Sequence, residues 1–70
     1  MTALEKIKRL LAAGYTKSEV SRAVNMACEH GRNIGQPTNT FIRCLNGNRE
    51  FPKYVDDALQ LRYKKMLAKK

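Results

Sequence analysis

Carboxylates are scarce in this chain. Six Asp and Glu stand against fourteen Lys and Arg, leaving a net charge of +8 on 70 residues. Such an imbalance points away from cationic partners and towards polyanions: nucleic acid, an anionic membrane surface or an acidic protein. Cysteine is also scarce. Cys28 and Cys44 alone make no disulfide framework, and no stretch reads as a signal peptide. A reducing, cytoplasm-like compartment with both thiols free is therefore expected. The longest apolar run, Leu10 to Ala13, is far too short to span a membrane. Tryptophan is absent, and three Tyr and two Phe are few for a protein that stacks on unpaired RNA bases.

Catalytic signatures are missing too. There is no Gly-rich phosphate loop and no nucleophile–base pair, and Asp56 and Asp57 would face different ways on a helix. A domain of this size has little room to enclose a pocket, so neither an enzyme nor a small-molecule binder is expected, and no cofactor. Cys28, His30 and Cys44 lack the paired spacing of a zinc site, and both cysteines fall on core stripes, so no metal is expected. Seventy residues make one domain, 1–70, near the lower limit for a self-sufficient core.

What is present is helical periodicity. Thr2 and Glu5 form a capping-box pattern that opens a helix over about 3 to 13. Leu4, Ile7, Leu10 and Leu11 supply its buried face, while Lys6, Lys8 and Arg9 stay in water. Gly14 ends it. Thr16 and Glu19 repeat the pattern. Val20, Ala23, Val24, Ala27 and Cys28 then keep helical spacing, predicting a long second helix from about 17 to 30, stopped by Gly31. Its outer face is Ser18, Arg22, Asn25 and Glu29. Residues 32–37 contain Gly35 and Pro37 and read as a loop, with Arg32 and Asn33 as plain loop residues or, less favoured, a loop arm that enters a groove.

The stretch from Pro37 to Pro52 organises the rest. Pro37 disfavours helix before it, Thr38 caps the N–H groups after it, and Gly47 ends the short helix 38–46. Phe41, Cys44 and Leu45 form an inward stripe. Asn39, Thr40, Arg43 and Asn46 face outward, and such side chains reach base edges and phosphates. Pro52 suits the first position of a last helix. Asp56 and Asp57 early and Lys64, Lys65, Lys69 and Lys70 late complement its dipole. Val55, Ala58, Leu59 and Met66 mark its apolar side, with Tyr54, Leu61 and Tyr63 off that side. The cations at 62, 64, 65, 69 and 70 read as a solvated or frayed tail, which could also touch phosphates non-specifically. No segment alternates with period two, so the fold class expected is all-α, a small bundle of about four helices.

Two segments, 15–24 (Tyr-Thr-Lys-Ser-Glu-Val-Ser-Arg-Ala-Val) and 41–47 (Phe-Ile-Arg-Cys-Leu-Asn-Gly), resemble the helix-turn-helix of phage repressors of the lambda repressor and Cro type. Lys17 matches the polar residue that opens the first motif helix, Ser21 the small residue on its inner face, and Leu45-Asn46-Gly47 the end of the second. The resemblance implies Thr38, Asn39, Thr40 and Arg43 in the major groove, with Lys17 and Asn46 on phosphates. About ten extra residues, near Asn25 to Gly35, separate the two helices where the family has a tight turn.

Three functions of different classes follow as expectations. The first is a sequence-specific regulator of double-stranded DNA, a phage or mobile-element repressor. Asn39, Thr40 and Arg43 would read a half-site, Lys17, Arg22, Asn46 and Arg49 would hold the backbone, and a homodimer would supply affinity. The second is an inhibitor that turns the same basic face to an acidic protein. The third, an RNA-binding or architectural protein, is disfavoured by the few aromatics.

Overall fold

The computed structural model describes residues 2–69. Lys70, counted above among the C-terminal cations, lies outside the described residues, as does the side chain of Asn33. The chain runs α1 (Ala3–Ala12), α2 (Lys17–Ala23), a strand β1 (Ala27–Cys28), a 3₁₀ turn (Gly31–Asn33), a strand β2 (Gln36–Pro37), α3 (Asn39–Leu45) and α4 (Lys53–Lys69). The domain is mostly helical, and the expected all-α description needs one addition. An antiparallel strand pair, Ala27 opposite Pro37 and Cys28 opposite Gln36, stands between α2 and α3.

Threonine starts each of the first three helices. Thr2 accepts from the Glu5 N–H at 3.2 Å, Thr16 from Glu19 at 3.1 Å and Thr38 from Phe41 at 3.1 Å. At Thr16 the Glu19 carboxylate also accepts from the Thr16 N–H at 3.0 Å, completing the capping box. The same three helices share one ending, in which a residue with positive φ reverses the chain. The N–H of the next residue then bonds back to a carbonyl five positions earlier. Gly14 does this for α1 (Tyr15 N–H to Leu10 O, 3.2 Å) and Gly47 for α3 (Asn48 N–H to Arg43 O, 3.0 Å). Asn25, at φ 63°, does it for α2, where Met26 N–H reaches Ser21 O at 2.7 Å.

That ending overturns the helix expected over 17–30. An unbroken helix would carry Met26 round to the solvent side, beside Arg22 and Asn25. Reversal at Asn25 instead buries Met26 to 3% exposure next to Val24 at 1%. Burying a methionine contributes about 1.5 to 3 kcal/mol, more than one further helical turn gives in water. Cys28 consequently sits half-buried in β1 rather than on a helical stripe, and His30 and Gly31 end no helix.

One core joins all four helices. Ile7, Leu10, Val20, Val24, Phe41, Val55 and Leu59 are fully enclosed in it, and Phe51 meets Phe41 edge-on with ring centroids 6.1 Å apart. α4 begins one residue later than expected. Pro52 precedes it and accepts from the Val55 N–H at 3.0 Å. Along α4, Val55, Ala58 and Leu59 are buried and Met66 packs against the core, whereas Tyr54 and Leu61 are exposed. Lys6, expected in water, lies over the Tyr63 ring, 5.8 Å from its centroid. Tyr15 donates its hydroxyl to Met66 O at 2.6 Å. Among the described residues no helix is long and apolar enough to cross a membrane.

Candidate nucleic-acid interface

α3 is positioned from inside. Phe41 at 0% and Cys44 at 1% exposure fix which side of this short helix faces the core, with Leu45 half-buried beside them. The Cys44 thiol also donates to Glu50 O at 3.5 Å, holding the chain that leaves the helix. At about 100° per residue the opposite side must then carry Asn39, Arg43 and Asn46 within about 60° of one another, with Thr40 on one flank. All four are exposed. The chain has no carboxylate between Glu29 and Glu50, so this face carries the Arg43 charge without an acidic neighbour in its own segment.

Thr38 stands differently. It is half-buried and its hydroxyl oxygen accepts the helix's third N–H, so its first task is to start α3. Asn46 closes the helix, and its N–H donates to Ile42 O at 3.0 Å. Its side chain remains exposed. Lys17 is exposed at the first position of α2, and Ser21, the small inner residue, is completely buried with its hydroxyl donating to Ser18 O at 3.0 Å. Arg49 lies in the bend beyond α3, at the edge of an open groove of about 750 Å³ that also touches Thr2, Lys6, Glu50 and Asp56. Arg22 crosses Gly35 at the return of the strand pair. A Cβ built on Gly35 would lie 3.3 Å from Arg22 Cδ.

Sequence reasoning missed one member of the outward face. Ile42, 38% exposed, flanks Asn39 and Asn46 on the side away from Thr40, where an apolar group can meet a thymine methyl. The helix spacing that placed Asn39 and Arg43 would have placed Ile42 as well. A second residue was misread. Arg62, assigned to a solvated tail, donates from Nη1 to Ala23 O at 2.6 Å and thereby closes the C-terminal end of α2.

The segment between α2 and α3 leaves and returns. Thr38 N–H donates to Met26 O at 3.2 Å, directly at the base of the strand pair, and Gly35 N–H donates to Cys28 O at 2.9 Å higher up. Everything from Ala27 to Pro37 is thus a hairpin zipped shut at its foot. What joins α2 to α3 across that foot is Val24, Asn25, Met26 and Thr38. No group of three or more His, Cys, Asp or Glu able to hold a metal occurs among the described residues. Comparison with protein-family models, with curated proteins and with solved structures gives no match.

Proposed function

We propose that the protein is a sequence-specific double-stranded DNA-binding regulator of phage or mobile-element repressor type, laying α3 in the major groove. The observation that carries this reading is the outward face of α3. Asn39, Thr40, Arg43 and Asn46 are exposed together on a helix whose rotation Phe41 and Cys44 fix. Arg43 pairs best with a guanine edge and Asn39 with an adenine edge, Thr40 and Ile42 take flanking positions, and Thr38 sets where the helix begins. Lys17, Asn46 and Arg49 hold phosphates.

The foot of the hairpin supports the resemblance to the lambda repressor and Cro type. Four residues across the Met26–Thr38 hydrogen bond are the length of an ordinary helix-turn-helix connection. The extra residues are a decoration on a tight turn and need not displace the second helix from its place.

One such module reads too few base pairs for useful affinity, so the regulator acts as a two-fold dimer on a palindrome. Tyr54 at 47% and Leu61 at 74% exposure, seven residues apart on α4, form the surface assigned to the second copy. Selection from a pool of random duplexes tests the reading. A palindromic consensus is the expected result. Recovery of no consensus, with retained salt-sensitive binding, would return α3 to a generic basic face or to an acidic protein partner.

A further inference from the structure

Two open grooves among the described residues differ in charge. The first, of about 750 Å³ between the start of α1 and the start of α4, sets Lys6 and Arg49 against Glu50 and Asp56, so its ionic groups balance. The second, of about 670 Å³ between α2 and the end of α4, brings Arg22, Arg62, Lys65 and Lys69 together with one carboxylate, Glu19. Among the described residues, four cations against one anion line its walls, and the four basic residues are exposed along it.

Two of those cations are held in place. Arg62 spends one N–H on Ala23 O at 2.6 Å, which cancels the carbonyl end of α2 and leaves the other N–H groups of its fork for the groove. Arg22 is pinned from below: its Nε donates to Ser18 O at 3.5 Å and its Cδ lies against Gly35. Any side chain at Gly35, whose φ is +78°, would strain the backbone and push Arg22 aside. Guanidinium groups held in this way lose little entropy when they meet a phosphate, and their planar forks suit its oxygens better than free lysines do. Lys65 and Lys69 stand one turn apart on α4 and add mobile charge along the same line.

We infer that the groove between α2 and α4 is a second nucleic-acid contact, a sequence-independent seat for the phosphodiester backbone of duplex DNA. It is built from Arg22, Arg62, Lys65 and Lys69 and is separate from the reading face of α3. The inference rests on the DNA-binding reading for the identity of its polyanion. It makes the C-terminal half of α4 a working surface rather than a solvated tail. It also gives the hairpin a task, since Gly35 at its return supports the Arg22 guanidinium.

The test is a titration of the full chain with a random-sequence duplex, followed by backbone amide chemical shifts in wild type and in the double variant Lys65→Gln/Lys69→Gln. Both lysines are exposed, so the variant keeps the fold, and the free-state spectrum checks this directly. The expected result is saturable shifts at Arg22, Ala23, Arg62, Lys65 and Lys69 in the wild type. In the variant, the slope of log K against log[salt] becomes less steep by about 1.8, the loss of two phosphate contacts. Shifts confined to residues 39–46, with an unchanged salt slope in the variant, overturn the groove and leave the α3 reading standing. Shifts confined to the groove uphold it, and the random-pool selection then decides the reading face separately. No shift in the groove set overturns the groove.

Discussion

The two faces of α3 and its C-cap Asn46 are made by one short run of residues and differ in what they touch. Inward, Phe41 and Cys44 are sealed in the core and Leu45 is half-buried. Outward, Asn39, Thr40, Arg43 and Asn46 are exposed and touch little of their own chain. A helix this short is marginal in water by itself, so the inward face must hold it, and the outward face is left without a structural role. Stability and the proposed recognition are therefore separable by substitution on alternate sides of one element.

The largest expected effect lies inward. Phe41→Ala removes a fully buried ring and should destabilise the domain by ~3 to 5 kcal/mol, a large share of what a domain of this size has. Thermal melting checks it, and a variant that melts like the parent would mean that α3 is rotated and the outward face misassigned. Next comes the surface given to the second copy. Leu61→Glu should produce a folded monomer whose affinity for a palindromic site drops by about 10²-fold or more, since the two half-sites no longer share one ligand. Analytical ultracentrifugation of parent and variant decides it; a monomeric parent, with and without DNA, removes the interface.

On the outward face, Arg43→Ala should leave the melting temperature alone. It should weaken the preferred site by ~1 to 3 kcal/mol and random duplex far less. Lys64→Ala, by contrast, should weaken both slightly and equally. Equal losses of Arg43→Ala on the preferred and the random duplex would assign Arg43 to phosphate only. The smallest effect belongs to neither face. Asn25→Ala places a residue with a stronger aversion to positive φ at the end of α2 and should destabilise the fold by roughly 1 kcal/mol, while Asn25→Gly should be neutral or slightly stabilising. DNA affinity per folded molecule should not move in either.

Asn25 also shows why part of the fold was hard to read. The three chain reversals have the same hydrogen bonds, yet Gly14 and Gly47 announced theirs and Asn25 did not, because asparagine serves equally well inside or beyond a helix. The stripe Val20, Val24, Ala27, Cys28 then continued the helix on paper. What broke it was tertiary: Met26 gains more by entering the core than the helix gains by another turn. Two-residue strands leave no alternating pattern, so the hairpin had no local signal either. α3 and its caps were legible to the residue, since Pro37, Thr38, Phe41 and Gly47 all act locally. Of the site, the outward set followed from helix spacing alone. The partners of Arg22 and Arg62 did not, because Gly35 and Ala23 reach them only once the chain has folded back.

The outward face of α3 is proposed to read base pairs. The most direct measurement repeats the random-duplex selection with Arg43→Ala beside the parent. The account predicts the same palindromic consensus, relaxed at one position in each half-site and unchanged elsewhere. An identical consensus from both proteins would contradict it.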